Sequence, residues 1–194
     1  LSALKLGTKF FLHTYTHSQE KNRLETFVRG LGDLFAKHIP ACKWFLHYLT
    51  TEPNLLYRLF FVCYVPQTRD SIVNLISKVL NILAPYERGV YSAIVDGSAD
   101  KVGVLPDPQS YGEVYDRFFA PPPGEPLSFV VSFINKYLAM MKDARFNWRN
   151  FSQYFLLLRQ FAAIGPHEVA VLHERKLITQ LVDFYLSDES PLSR

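Results

Sequence analysis

Apolar residues recur along most of this chain at helical spacing, and that period restricts the fold more than any other feature. Leu24, Phe27, Val28, Leu31, Leu34 and Phe35 fall at i, i+3, i+4, i+7, i+10 and i+11, one face of a helix. Arg23, Glu25, Arg29 and Asp33 take the other side. Gly30 and Gly32 each weaken that helix by about 1 kcal/mol relative to Ala, so it needs neighbours. It is expected to end near His38, because Pro40 disfavours helical geometry at Ile39. Pro40 then opens "PACKWFLHYL" at a first-turn position, where a missing N–H does no harm. Ahead of both, Leu4, Leu6, Phe10, Phe11 and Tyr15 predict a first helix.

The same habit continues. Pro53 begins "PNLLYRLFFVCYV" and Pro66 closes it. Thr68 or Asp70 can cap "RDSIVNLISKVLNIL", with Ile72, Val73, Ile76, Val79, Leu80 and Leu83 inward and Pro85 as its expected end. From Arg88 to Pro126 the period is lost. "GVYSAIVDGSADKVGVL" offers an Asp-Gly between short apolar runs, the mark of a small β-hairpin. "LPDPQSYGEVYDRFFAPPPGEP" holds six of the 12 prolines and reads as loop or a short isolated helix. Leu127 to Met141 is apolar nearly all round, which predicts burial on several sides. Asn147 can cap the next helix, whose stripe is Phe151, Tyr154, Phe155, Leu158, Phe161 and Ala162 and whose stop is Gly165. In the last, Leu177, Ile178, Leu181, Val182 and Tyr185 repeat the pattern, before "SDESPLSR" frays as a polar tail.

These segments predict an all-α fold of roughly seven to nine helices joined by short turns. An irregular HEAT/armadillo-like stack of antiparallel helices fits them, with a Pro-rich loop in the middle. No fixed period near ~40 residues is present, so a compact orthogonal bundle stays open. One helical domain over 1–194 is expected, with helical halves at 1–85 and 127–187 and an irregular insert at 86–126.

Composition narrows the function classes. Hydrophobic residues make up 48% and charged residues 20% of the 194, too apolar a mixture for a disordered chain. The net charge of +3 comes from 21 basic against 18 acidic residues and implies no nucleic acid without clustering. Cys42 and Cys63 are the two thiols; they form no Cys-x-x-Cys and favour a reducing, intracellular compartment, cytoplasmic or nuclear. The longest apolar run, Leu59 to Val65, is far short of the ~20 residues of a membrane helix. With no initiator Met and no signal-peptide pattern, the start reads as that of a piece of a longer protein.

Candidate chemistry is sparse. "HEVAVLHER" offers His167 and His173, but a zincin needs histidines four apart, and these are six apart. At ~100° per residue, six residues turn the second side chain about 240° away from the first. Pro166 and Glu168 there read as helix-start chemistry, and no metal or other cofactor is implied. Cys42 and Cys63 lie inside apolar segments, where burial raises a thiol pKa and leaves it inert; His47, five residues from Cys42, makes no dyad by spacing alone. His13, His17, His38 and His47 accompany no carboxylate constellation, and there is no Gly-rich phosphate loop. In "MMKDARFNWRNF", Lys142, Arg145 and Arg149 alternate with Phe146 and Trp148. That suits partner binding through Lys142, Arg145, Trp148 and Arg149, or stacking on nucleic acid, or a core Trp beside solvated charges. "APPPGEP" reads as a rigid loop or as a polyproline ligand for an SH3-type domain.

Three stretches carry a resemblance: "FLHTYTHSQEKNRLETFVRGLGDLFAKHIPACKWFLHYL", "RDSIVNLI" and "FSQYFLLLRQFAAIGPHEVAVLHERKLITQLVDFYL". They are similar to the helical region C-terminal to the protease domain in the large fat facets/FAM-type ubiquitin-specific proteases. The likeness covers about two-thirds of the chain and omits roughly 86–126. In that family the nucleophilic Cys follows an Asn and a Gly, and the catalytic His lies in a Gly-His-Tyr-rich box. Cys63 has a following Tyr but no preceding Asn or Gly, and no Gly-His-Tyr occurs anywhere. The resemblance therefore implies a non-catalytic scaffold within an intracellular deubiquitinase, with protein partners or ubiquitinated substrates, no membrane and no small-molecule ligand. A helical nucleic-acid binder and a small enzyme assembled only in three dimensions are the rival readings.

Overall fold

The computed structural model describes residues 5–9, 21–62, 66–95, 128–140 and 151–186, and the fold is all-α. Residues 5–9 are helical. After them come α1 (Lys21–Phe35), α2 (Ile39–Thr51), a short α3 (Leu55–Tyr57) running into a π-helical turn (Arg58–Val62), and α4 (Pro66–Val95). Then follow α5 (Phe129–Ala139), α6 (Phe151–Ala162), α7 (Pro166–Glu174) and α8 (Leu177–Leu186). No strand occurs among the described residues, and no described helix is long and apolar enough to cross a membrane.

The long helix α4 organises the core, with α1, α2 and α6 packed along it and α5 laid on α2. Its inward stripe is as the spacing predicts: Ile72, Val73, Ile76, Val79, Leu80 and Leu83 are all buried. Pro85 does not end it. The helix runs ten residues further, to Val95, so the expected hairpin strand over 89–95 is helix; the rest of that hairpin lies outside the described residues. A proline inside a helix costs ~3 kcal/mol through a lost hydrogen bond and a ring clash. Here the ring faces solvent, while Ala84, Tyr86, Glu87 and Val90 around it are buried. Packing on both sides of the proline outweighs the local penalty.

The α1–α2 corner follows the sequence closely. Its turn is Ala36–Lys37, and His38 caps α2, its Nδ1 accepting from the Ala41 N–H at 3.3 Å. Pro40 sits in the first turn, as expected. On α1, Val28, Leu31 and Phe35 are buried, but Phe27 and Leu34 remain 41% and 54% exposed. The segment after Pro53 starts two residues late, because Asn54 adopts a left-handed conformation (φ 59°) before Leu55.

Gly165 is likewise not a left-handed helix stop. α6 ends at Ala162, and Gly165 is the extended residue preceding α7 (φ 169°). Any residue can adopt that backbone. What favours glycine is space: an added Cβ would lie 3.2 Å from Glu168 Oε2.

Candidate functional site

Two polar nodes and one aromatic pair join the helices, and a groove runs between them. The first node centres on Glu87 of α4, which is 7% exposed. Its carboxylate accepts from Ser128 Oγ at 2.6 Å and from the N–H groups of Phe129 and Val130 at 3.0 and 3.4 Å. Ser128 Oγ in turn accepts from the Val131 N–H at 3.0 Å. A carboxylate from one helix thus caps the start of another, satisfying donors that α5 cannot satisfy itself and meeting the positive end of its dipole. Lys43 of α2 approaches from the third side, its ammonium 5.4 Å from the Tyr86 ring and 5.9 Å from that of Phe129. Burial pushes the Glu87 pKa up; the bonds from Ser128, Phe129 and Val130 and the charge of Lys43 pull it back.

The second node joins α4 to α7. Arg88 Nη1 donates to both oxygens of Glu168, at 3.1 and 3.0 Å, with the carboxylate side chain 2% and the guanidinium side chain 37% exposed. The aromatic pair is Tyr137 of α5 with Tyr154 of α6. Their rings stack with centroids 4.6 Å apart, and each hydroxyl donates to the other's backbone carbonyl, at 3.2 and 3.1 Å. Burial raises both phenol pKa values, so both stay protonated and act as donors.

Between the polar nodes lies a cleft of about 310 Å³. Ala84, Val130, Val131, Phe161 and Val171 give it an apolar wall, and Glu87, Arg88, His167 and Glu168 lie along its edge. Glu87, Arg88 and Glu168 hold helices together. Arg88 pairs with Glu168, and Glu87 is engaged by the start of α5.

The residues singled out from the sequence fall as follows. Lys142, Arg145, Trp148 and Arg149 lie outside the described residues, as does Cys63. Cys42 is wholly buried in α2, its Sγ donating to the Phe35 carbonyl oxygen at 3.0 Å. Burial pushes that thiol up to about 12, so it carries no thiolate at neutral pH. His47 is half-buried with its ring edge-on to Phe129, at 6.0 Å between centroids. His167 and His173 are exposed at opposite ends of α7. Among the described residues no three His, Cys, Asp or Glu side chains could jointly hold a metal ion. Sequence reasoning missed Glu87, Arg88 and Glu168 as a set, since their partners lie 41 to 80 residues away. Ser128, just ahead of an apolar run, was the one local signal for that junction.

Comparison with known proteins gives the context. The chain is 28% identical over 185 residues to ubiquitin carboxyl-terminal hydrolase puf of Drosophila melanogaster, covering 95% of this chain and 4% of that protein. It is 25% identical over 194 residues to ubiquitin carboxyl-terminal hydrolase 34 of Mus musculus and of Homo sapiens, covering 98% of this chain and 5% of each. This chain is related to a region of the ubiquitin carboxyl-terminal hydrolases. It spans only 4 to 5% of the length of these hydrolase relatives. The relationship extends through 86–126, which the resemblance read from the sequence had omitted. No protein-family model matches the chain, and no solved structure does.

Proposed function

We propose that this chain is a non-catalytic interaction module of a longer, cysteine-type deubiquitinase, with ubiquitin hydrolysis carried elsewhere in that polypeptide. One observation carries the reading: similarity to ubiquitin carboxyl-terminal hydrolases runs along nearly the whole chain, yet its described thiol is a core group held protonated. The sequence context of Cys63 points the same way, lacking the Asn and Gly that precede the family's nucleophile. The partners we infer are proteins, including ubiquitinated substrates, engaged in a reducing intracellular compartment, cytoplasmic or nuclear. Lys142, Arg145, Trp148 and Arg149 are the proposed contact residues, as interleaved Trp and Arg are effective interface anchors. An irregular HEAT/armadillo-like stack is the architecture we infer for the module in its longer protein.

The test is direct. Incubated with a ubiquitin-linked fluorogenic substrate, the 194-residue chain is expected to release nothing above buffer. Release that Cys63→Ala abolishes would overturn the proposal. For the contact residues, Lys142→Glu with Arg145→Glu should weaken binding to purified polyubiquitin chains; unchanged affinity removes them from the interface. A shift with RNA that collapses as salt rises would favour the nucleic-acid reading instead.

A further inference from the structure

The last helix is apolar on a wider arc than its neighbours cover. Leu177 and Leu181 of α8 pack, half-buried, against the core. Ile178, Val182 and Leu186 do not: they are 69%, 50% and 72% exposed. At i, i+4 and i+8 these three form one continuous strip along the helix. Asp183 is the only charged residue on α8, so the strip is greasy and uncharged from end to end. α8 rests chiefly on α7. An isolated helix of ten residues is marginal in water, and Ile178, Val182 and Leu186 of α8 remain exposed.

We propose that this strip is an intramolecular docking face, covered in the longer polypeptide by a further amphipathic helix of the same chain. Three observations select that occupant. The hydrolase relatives match 95 to 98% of this chain with only 4 to 5% of their own length, so in them the equivalent region is embedded in a polypeptide about twenty times longer. The strip is one helix wide and uncharged, which suits ridge-into-groove packing by another helix rather than an acidic or basic partner. Its size argues against a second copy: a stable dimer buries about 800 Å² per partner, more than three side chains on a short helix supply. A covalently linked helix needs no such area, because tethering sets its effective concentration. The inference rests on the relation to longer hydrolases and not on the absence of catalysis, which the fluorogenic assay tests separately.

Hydrogen exchange on the 194-residue chain and on the longer polypeptide containing it tests this. In the shorter chain, α8 amides should exchange at least about tenfold faster than those of α4, and in the longer one that gap should close. Ile178→Glu with Val182→Glu should leave the melting temperature of the shorter chain unchanged and return α8 of the longer one to fast exchange. Equal α8 exchange in both polypeptides overturns the proposal. So does unfolding of the shorter chain by the double substitution, which would place the strip in its own core. A concentration-dependent dimer in sedimentation that the double substitution abolishes overturns it too, by naming a second copy as occupant.

Discussion

Glu87 shows how one buried side chain can join three helices and at the same time make their union sensitive to pH. Its carboxylate is stripped of water, and the compensating donors are Ser128 Oγ and the first N–H groups of α5. Because its folded pKa lies above the ordinary value of 4.5, the folded state holds the proton at pH values where the unfolded chain has lost it. Stability from this group therefore falls as pH rises from about 4.5 through its folded pKa. Glu87→Gln keeps one accepting oxygen and removes the titration. It should flatten the melting temperature against pH over that window, and an unchanged slope would count against the account. Glu87→Ala takes the acceptor from the Phe129 and Val130 N–H groups and removes a buried negative charge that Lys43 acts on, and should cost about 2–3 kcal/mol in urea denaturation. Gly165 offers a second test at this scale. Gly165→Ala meets the end of the Glu168 side chain rather than a backbone barrier, so its cost should shrink when combined with Glu168→Ala, which removes those atoms, in a double-mutant cycle. Additive costs would mean the contact is not what selects glycine. Neither node was legible in the sequence, because a helix period reports which face is buried and not which polar residue another element will meet there. Cys42 was legible: a thiol inside "ACKWFL" announces its burial through its own neighbours.

Among the elements, the stripe of α4 was readable residue by residue, whereas its length was not. A proline is a strong local signal, but the ten residues beyond Pro85 carry Tyr86, Glu87 and Val90 into the core. Those contacts are made with other helices and leave no trace in the local pattern. If the proline is tolerated rather than required, Pro85→Ala should stabilise the protein. The substitution restores an N–H within α4 and removes the ring clash, while losing little packing because the ring is exposed. Part of that gain is cancelled by the greater freedom of the unfolded chain, leaving about 1–2 kcal/mol. In a chain of this size that is a rise of roughly 2–8 °C in melting temperature, measurable by calorimetry. A fall instead would show that α4 needs a bend at Pro85 to reach both α1 and α6. The exposed strip on α8 has the opposite origin. Its helical period was plain, but a period cannot say whether the partner for a predicted face lies within these 194 residues.

At the scale of the molecule, the contacts divide the helices into unequal parts. α4 touches α1, α2, α5 and α6, while the Tyr137–Tyr154 pair locks α5 to α6, so these helices share one core. α7 joins that core through α6 and the Arg88–Glu168 pair, and α8 joins it mainly through α7. Such a hierarchy should appear as two levels of opening. Ile76 is wholly buried at the centre of α4, and Ile76→Ala should cost about 2–4 kcal/mol by leaving a cavity. Its effect should spread, raising amide exchange in α1, α2, α4, α5 and α6 by a common factor. Leu172, 7% exposed on α7, has fewer dependants. Leu172→Ala should accelerate exchange in α7 and α8 and leave α4 near its original rate. The comparison is decisive because both variants remove similar apolar volume. If Leu172→Ala loosens α4 as much as Ile76→Ala does, the helices form a single cooperative unit, and α8 draws its stability from the whole core rather than from α7.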